Sequence, residues 1–178
     1  EGGLSILGTS GIVEPMSQQA ILDTIQLEMG QAALRAGTPR RLILAPGNYG
    51  LDYLHENLPA LKCIPVVKTS NFIGDALDMA AASKFEQVVL VGHIGKLVAA
   101  TTDACMEILD KAELREPVLS SLLDAIQLHL DRRAAGAFRV GAVLFSNQYG
   151  PLGQTKTAKE LLDEWKNGTA TASCTASV

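Results

Sequence analysis

The stretch Gln87-Val88-Val89-Leu90-Val91-Gly92-His93-Ile94-Gly95-Lys96 sets a continuous apolar run against a polar, glycine-bearing turn. A short β-branched run stopped by glycine is expected of a strand covered on both faces, the type found in parallel sheets. Four further runs share this character: Leu4-Ser5-Ile6-Leu7 before Gly8, Arg41-Leu42-Ile43-Leu44-Ala45 before Pro46-Gly47, Cys63-Ile64-Pro65-Val66-Val67 before Ser70-Asn71, and residues 138–145 before Ser146-Asn147. Pro65 has no amide proton for a ladder, which puts the third run at a sheet edge or a bulge.

Helical periods separate these runs. Residues 17–36 repeat apolar positions with near-helical spacing, with Ser17 as N-cap and Gly37-Thr38-Pro39 as the stop. Residues 49–57, 73–84, 118–133 and 157–166 read as further helices, and 95–112 as helical in part. Trp165 is expected to anchor the last helix to the body. Strands alternating with helices imply crossover units. The expected architecture is a three-layer, Rossmann-like α/β domain with a mostly parallel sheet of about five strands, occupying residues 1–167. Residues 168–178 are small, polar and aperiodic, and are expected to form a disordered tail.

Bulk properties narrow the function. The 178 residues suit one domain, and 47 % apolar residues can build its core. A net charge of -4 argues against a nucleic-acid footprint, and no apolar run is long enough for a membrane helix. Three cysteines, Cys63, Cys105 and Cys174, form no CxxC pair and suggest no disulfide framework. With no leader visible, the expectation is a reduced, cytoplasmic protein. A start without Met or leader carries the expectation of a piece of a longer chain. His55, His93 and His129 lie on three separate segments, so no metal site is expected.

Chemistry collects after the strands. In open parallel sheets, ligands bind outside the carboxyl ends. The five turns there are Gly8-Thr9-Ser10-Gly11, Pro46-Gly47-Asn48-Tyr49-Gly50, Thr69-Ser70-Asn71-Phe72-Ile73-Gly74, Gly92-His93-Ile94-Gly95-Lys96 and Ser146-Asn147-Gln148-Tyr149-Gly150. Each joins glycine to a hydroxyl, amide, imidazole or ammonium group. Glycine permits close backbone approach, and helix starts favour anions. Candidate ligand-binding residues are therefore Gly8, Thr9, Ser10, Gly11, Gly47, Asn48, Ser70, Asn71, Gly92 and Gly95. The first turn has neither the dinucleotide spacing nor a P-loop lysine. Glu14, beyond it, would accept from a ribose-like hydroxyl or an amino group. His93 suits a proton shuttle or hydrogen-bond donor, and Lys96 a point charge for carboxylate or phosphate.

The string Ser5-Ile6-Leu7-Gly8-Thr9-Ser10-Gly11-Ile12-Val13-Glu14-Pro15-Met16-Ser17 resembles the signature of the CbiD family, the cobalt-precorrin-5B C1-methyltransferases. The turns at 46–50, 70–74 and 92–98 agree in order, and the resemblance runs from about residue 3 to about 166. It implies an S-adenosyl-L-methionine-dependent methyltransferase of anaerobic cobalamin biosynthesis, acting on a polycarboxylate cobalt-precorrin corrinoid. His93 and Lys96 are then the expected catalytic residues, and the glycine-bearing turns with Glu14 the expected cofactor site. Two departures stand out. The family carries an N-terminal domain before the signature, which would be a partner of this piece; association with further copies is also open. The family also continues past the position of Val98 with a glycine-rich loop that is absent here. A non-catalytic α/β module binding a nucleotide or sugar phosphate is the alternative reading.

Overall fold

A computed structural model describes residues 17–97 and 110–169. The elements are α1 (Gln18–Arg35), β1 (Arg41–Ala45), α2 (Asn48–Asn57), a 3-10 turn (Pro59–Leu61), β2 (Val66–Lys68), α3 (Ile73–Ala82), β3 (Gln87–His93), α4 (Ile94–Leu97), α5 (Ala112–Ala134), β4 (Arg139–Ser146), β5 (Gly150–Gln154) and α6 (Lys156–Thr169). They form a five-stranded sheet in the order β2-β1-β3-β4-β5. The first four strands run parallel, and β5 returns antiparallel beside β4.

Strand parity sorts the core into two layers. Leu42, Leu44, Val88, Leu90, Val140, Ala142 and Leu144 face α1, α3 and α5. Ile43, Val89, Val91, Val143 and Phe145 face α2 and α6, with Leu161, Leu162 and Trp165 behind them. Successive side chains of a strand point to opposite faces, so a continuous apolar run feeds both layers at once. The expected α/β class and mostly parallel sheet are thus present.

Local signals set most boundaries. The Ser17 hydroxyl accepts from the amide of Ala20, 3.1 Å away, and opens α1. Trp165 is fully buried and donates its indole N–H to Gln87 Oε1 at 2.6 Å, tying α6 to the start of β3. The run with Pro65 forms the edge strand β2, which starts at Val66, three residues after the start of the run and just past the proline.

Several elements differ from expectation. The run at residues 4–7 lies outside the described residues, and the fifth strand is instead β5, whose Gly-Pro-Leu-Gly-Gln sequence has no strand character of its own. Helix α5 begins six residues before 118, with Pro117 inside it. Pro117 is the sixth residue of the helix, past the first turn, so it forfeits the bond to the Glu113 carbonyl, and the buried side chains Leu119, Leu130 and Ala134 on the same helix offset that loss. Helix α6 continues to Thr169. Cys63 is disulfide-bonded, against the expectation of a reduced chain with no disulfide framework. Cysteine spacing carries no information on thiols that meet only through the fold.

The tightest approach of helix to sheet lies at Gly141 on β4. A Cβ there would sit 2.2 Å from the backbone nitrogen of Ala158 in α6. Backbone cannot rotate away, so the layers must separate. Gly141→Ala is expected to lower stability by about 2–4 kcal/mol, read as a drop in the urea midpoint with little change in slope.

Candidate functional site

The crossover pattern marks one crevice. From β1 the chain passes over one face through α2 to β2; from β3 it passes over the other face, through α5, to β4. The carboxyl ends of the neighbouring strands β1 and β3 therefore send their chains apart. Such a switch point leaves a gap at the sheet edge where a ligand can enter.

Gly47 and Asn48 line the β1 side. Gly47 has φ +94°, a value side chains disfavour, and precedes the first turn of α2. That turn lies close on the sheet: a Cβ on Gly50 would fall 2.7 Å from the carbonyl oxygen of Val91. The β3 side holds Gly92, His93, Gly95 and Lys96. Gly92 is buried within the strand, and its missing side chain leaves room for Leu97.

Lys96 reaches across the gap. Its Nζ donates to Asn71 Oδ1 at 2.9 Å. Asn71 follows β2 and Lys96 follows β3, while β1 lies between those strands. The bond therefore ties the flanking turns together around the end of β1. Ser70, in the same turn as Asn71, takes φ +51°.

His93 ends β3, beside Phe145 on β4. Its Nδ1 accepts from the amide of Gly95 at 3.2 Å, which leaves Nε2 to carry the proton of the neutral ring. The ring meets Phe145 edge-on at 5.7 Å and lies 6.3 Å from the ring of Tyr49. Burial pushes its pKa below the ordinary value.

A cleft of about 390 Å³ extends from this point between α2 and the β4–β5 hairpin. Tyr49, Asp52, Tyr53 and Glu56 form its α2 wall, and Phe145, Ser146 and Asn147 line the strand side. Tyr53 stacks on Phe145 with centroids 4.4 Å apart and planes 15° from parallel. Burial holds the Tyr53 phenol above its usual pKa, so it stays neutral.

The structure thus brings Gly47, Asn48, Ser70, Asn71, Gly92, His93, Gly95 and Lys96 to one edge. Gly8, Thr9, Ser10, Gly11 and Glu14 lie outside the described residues. The turn at 146–150 closes a hairpin instead of leading into a helix. Reading turns alone passed over Asp52, Tyr53, Glu56 and Phe145. A signal was present, because 49, 52, 53 and 56 are spaced to share one helix face. Among the described residues no group of His, Cys, Asp and Glu could hold a metal ion, and no helix is long and apolar enough to cross a membrane.

Residues 95–156 match the family model for the CbiD C-terminal domain. The chain is 30 % identical over 206 residues to a protein of Alkaliphilus metalliredigens, covering 94 % of this chain and 54 % of that protein. The chain is thus similar to the CbiD family, most directly over that C-terminal domain. A second relative, from Treponema denticola, is 48 % identical over 96 residues, which is 54 % of this chain and 26 % of that protein. Both relatives are named cobalt-precorrin-5B C(1)-methyltransferase. The chain spans about half the length of the Alkaliphilus relative, and its match to the other covers about a quarter. Since 94 % of 178 residues is about 167, the 206 aligned positions leave about 40 without a counterpart in this chain. No solved structure matches.

The lowered pKa of His93 gives a signed prediction. The unfolded chain binds the proton more readily than the folded one, so stability rises with pH across the window between the two pKa values. The contribution is complete above about 6.5 and is lost as pH falls through the folded value. The imidazole proton shifts of His93 in NMR should therefore titrate below the ordinary histidine value of about 6.5.

Proposed function

We propose that this chain forms the α/β portion of an S-adenosyl-L-methionine-dependent methyltransferase acting on C1 of cobalt-precorrin-5B. The reading is carried by the Lys96–Asn71 hydrogen bond at the switch point, which holds an ammonium on a side-chain amide oxygen where two strand ends part. A polycarboxylate macrocycle calls for such a donor set. The names of the family relatives support the same chemistry.

The residues present fit a methyl donor of nucleoside size. The cleft of about 390 Å³ lies in the range of small-molecule sites, and it joins aromatic faces to hydroxyl and amide groups. S-adenosyl-L-methionine supplies, when bound, an electrophilic methyl on a positively charged sulfur. The chain's task is then to hold two ligands at one edge, orient them and exclude water. Holding reactants in line is worth a large part of such a barrier and needs no covalent bond to protein. Lys96 binds a substrate carboxylate. His93, neutral and with its proton on Nε2, offers a hydrogen-bond donor or proton carrier beside the reacting groups. Gly8, Thr9, Ser10, Gly11 and Glu14 are assigned to the donor by family resemblance, together with Gly47 and Asn48.

Titration calorimetry of the chain tests the reading. S-adenosylhomocysteine should bind, whereas NAD and glucose 6-phosphate should not. Binding of either phosphate ligand with no response to the sulfur compound would instead identify a nucleotide or sugar-phosphate module. Lys96→Ala should weaken binding of uroporphyrin, a tetrapyrrole polycarboxylate, about tenfold while leaving S-adenosylhomocysteine affinity unchanged. Equal losses for the two ligands would remove Lys96 from the substrate side.

A further inference from the structure

The two halves of the carboxyl edge carry opposite charge. Toward α3 the edge presents the Lys96 ammonium, held on Asn71. Toward the β4–β5 hairpin it presents the cleft whose α2 wall bears the carboxylates of Asp52 and Glu56 and the rings of Tyr49 and Tyr53. Asp52 and Glu56 are one helical turn apart, and like charges at that spacing repel. Among the described residues neither makes an ion pair. Their field is therefore spent on no internal cation. Tyr53 is held in place by its stack on Phe145, and Tyr49, 59 % exposed, keeps its ring open at the mouth of the cleft.

We propose that this aromatic and acidic cleft seats the positively charged sulfur of the methyl donor, while the Lys96–Asn71 half seats the polycarboxylate substrate. The inference rests on the function proposed above and adds which half of the edge takes which ligand. The face of an aromatic ring is negative and attracts a cation. Two uncompensated carboxylates add to that attraction, to a degree that solvent screening limits. The same groups repel a polyanion, just as Lys96 repels a sulfonium. The two ligands can then occupy the edge in only one mutual order. His93 lies at the junction, near Tyr49 and edge-on to Phe145, where the two ligands would meet.

S-adenosylmethionine and S-adenosylhomocysteine isolate the relevant charge. They share adenosine, ammonium and carboxylate, and differ in the methyl group and the positive charge on sulfur. Calorimetry of the chain should find S-adenosylmethionine bound about threefold to tenfold more tightly. The ratio should fall toward one in the double variant Asp52→Asn, Glu56→Gln, and also in Tyr49→Leu. Both replacements lie at exposed positions, so circular dichroism should report an unchanged fold. Raising ionic strength should narrow the ratio, since the carboxylates border solvent. Lys96→Ala should leave it as in the parent. Equal affinities in the parent, or a ratio that survives both the double variant and Tyr49→Leu, overturns this assignment and leaves donor binding itself intact. If the parent binds neither compound, the methyltransferase reading falls and this assignment falls with it.

Discussion

Burial of the parallel strands on both faces is the constraint from which the rest follows. Strand β3 gives Val88 and Leu90 to one layer and Val89 and Val91 to the other, so it has no polar face to offer a ligand. Polar groups can appear only where the covering helices stop, at the strand ends. Four strands run the same way, so four carboxyl ends share one edge. The handedness of crossover connections then decides where on that edge the chain divides. It divides between β1 and β3, and the polar turns gather around that division.

Packing, more than hydrogen bonding, shapes the turns themselves. Gly50 lets the first turn of α2 rest against Val91, and Gly92 leaves room for Leu97 beneath α4. On the far side of β4, Thr155 closes the return to α6: its hydroxyl accepts from the amide of Ala142 at 3.1 Å, and its own amide donates to the carbonyl of Ala142 at 2.9 Å. These contacts hold backbone in place, so that side chains at the edge need little ordering of their own. Lys96 and Asn71 add one cross-tie between turns that share no strand pairing. A site built on such a frame loses less entropy on binding than one on free loops.

Much of this was legible because period and punctuation are local properties. The apolar run at 41–45 ended where Pro46-Gly47 ends it, and Ser17 opened α1 as its hydroxyl requires, whereas β3 runs on through Gly92 to His93 because both residues pair with β4. Strand β5 was not legible, because Gly150-Pro151-Leu152-Gly153-Gln154 carries turn residues and is held extended by its pairing with β4. The early start of α5 was hidden by Pro117, which reads as a boundary and sits inside the helix. At the site, the turns of 46–50, 70–74 and 92–96 could be identified one by one. The stripe Tyr49, Asp52, Tyr53 and Glu56 was not legible as a site, because helical spacing alone does not tell a ligand-facing stripe from a solvated one.

The amino-acid sequence by itself determined the fold class, the strand positions at 41–45 and 87–91, and which turns carry polar chemistry. Each of these depends on neighbours within a few residues, where sterics, alternation and capping act directly. Only the tertiary structure decided that Lys96 meets Asn71, that Tyr53 lies on Phe145, and that the two charged halves of the edge stand apart. Those relations join residues 25 to 92 positions apart, and strand order sets them. Strand order is chosen by burying both faces of the sheet at once under the handedness rule, and no local pattern in the chain records it.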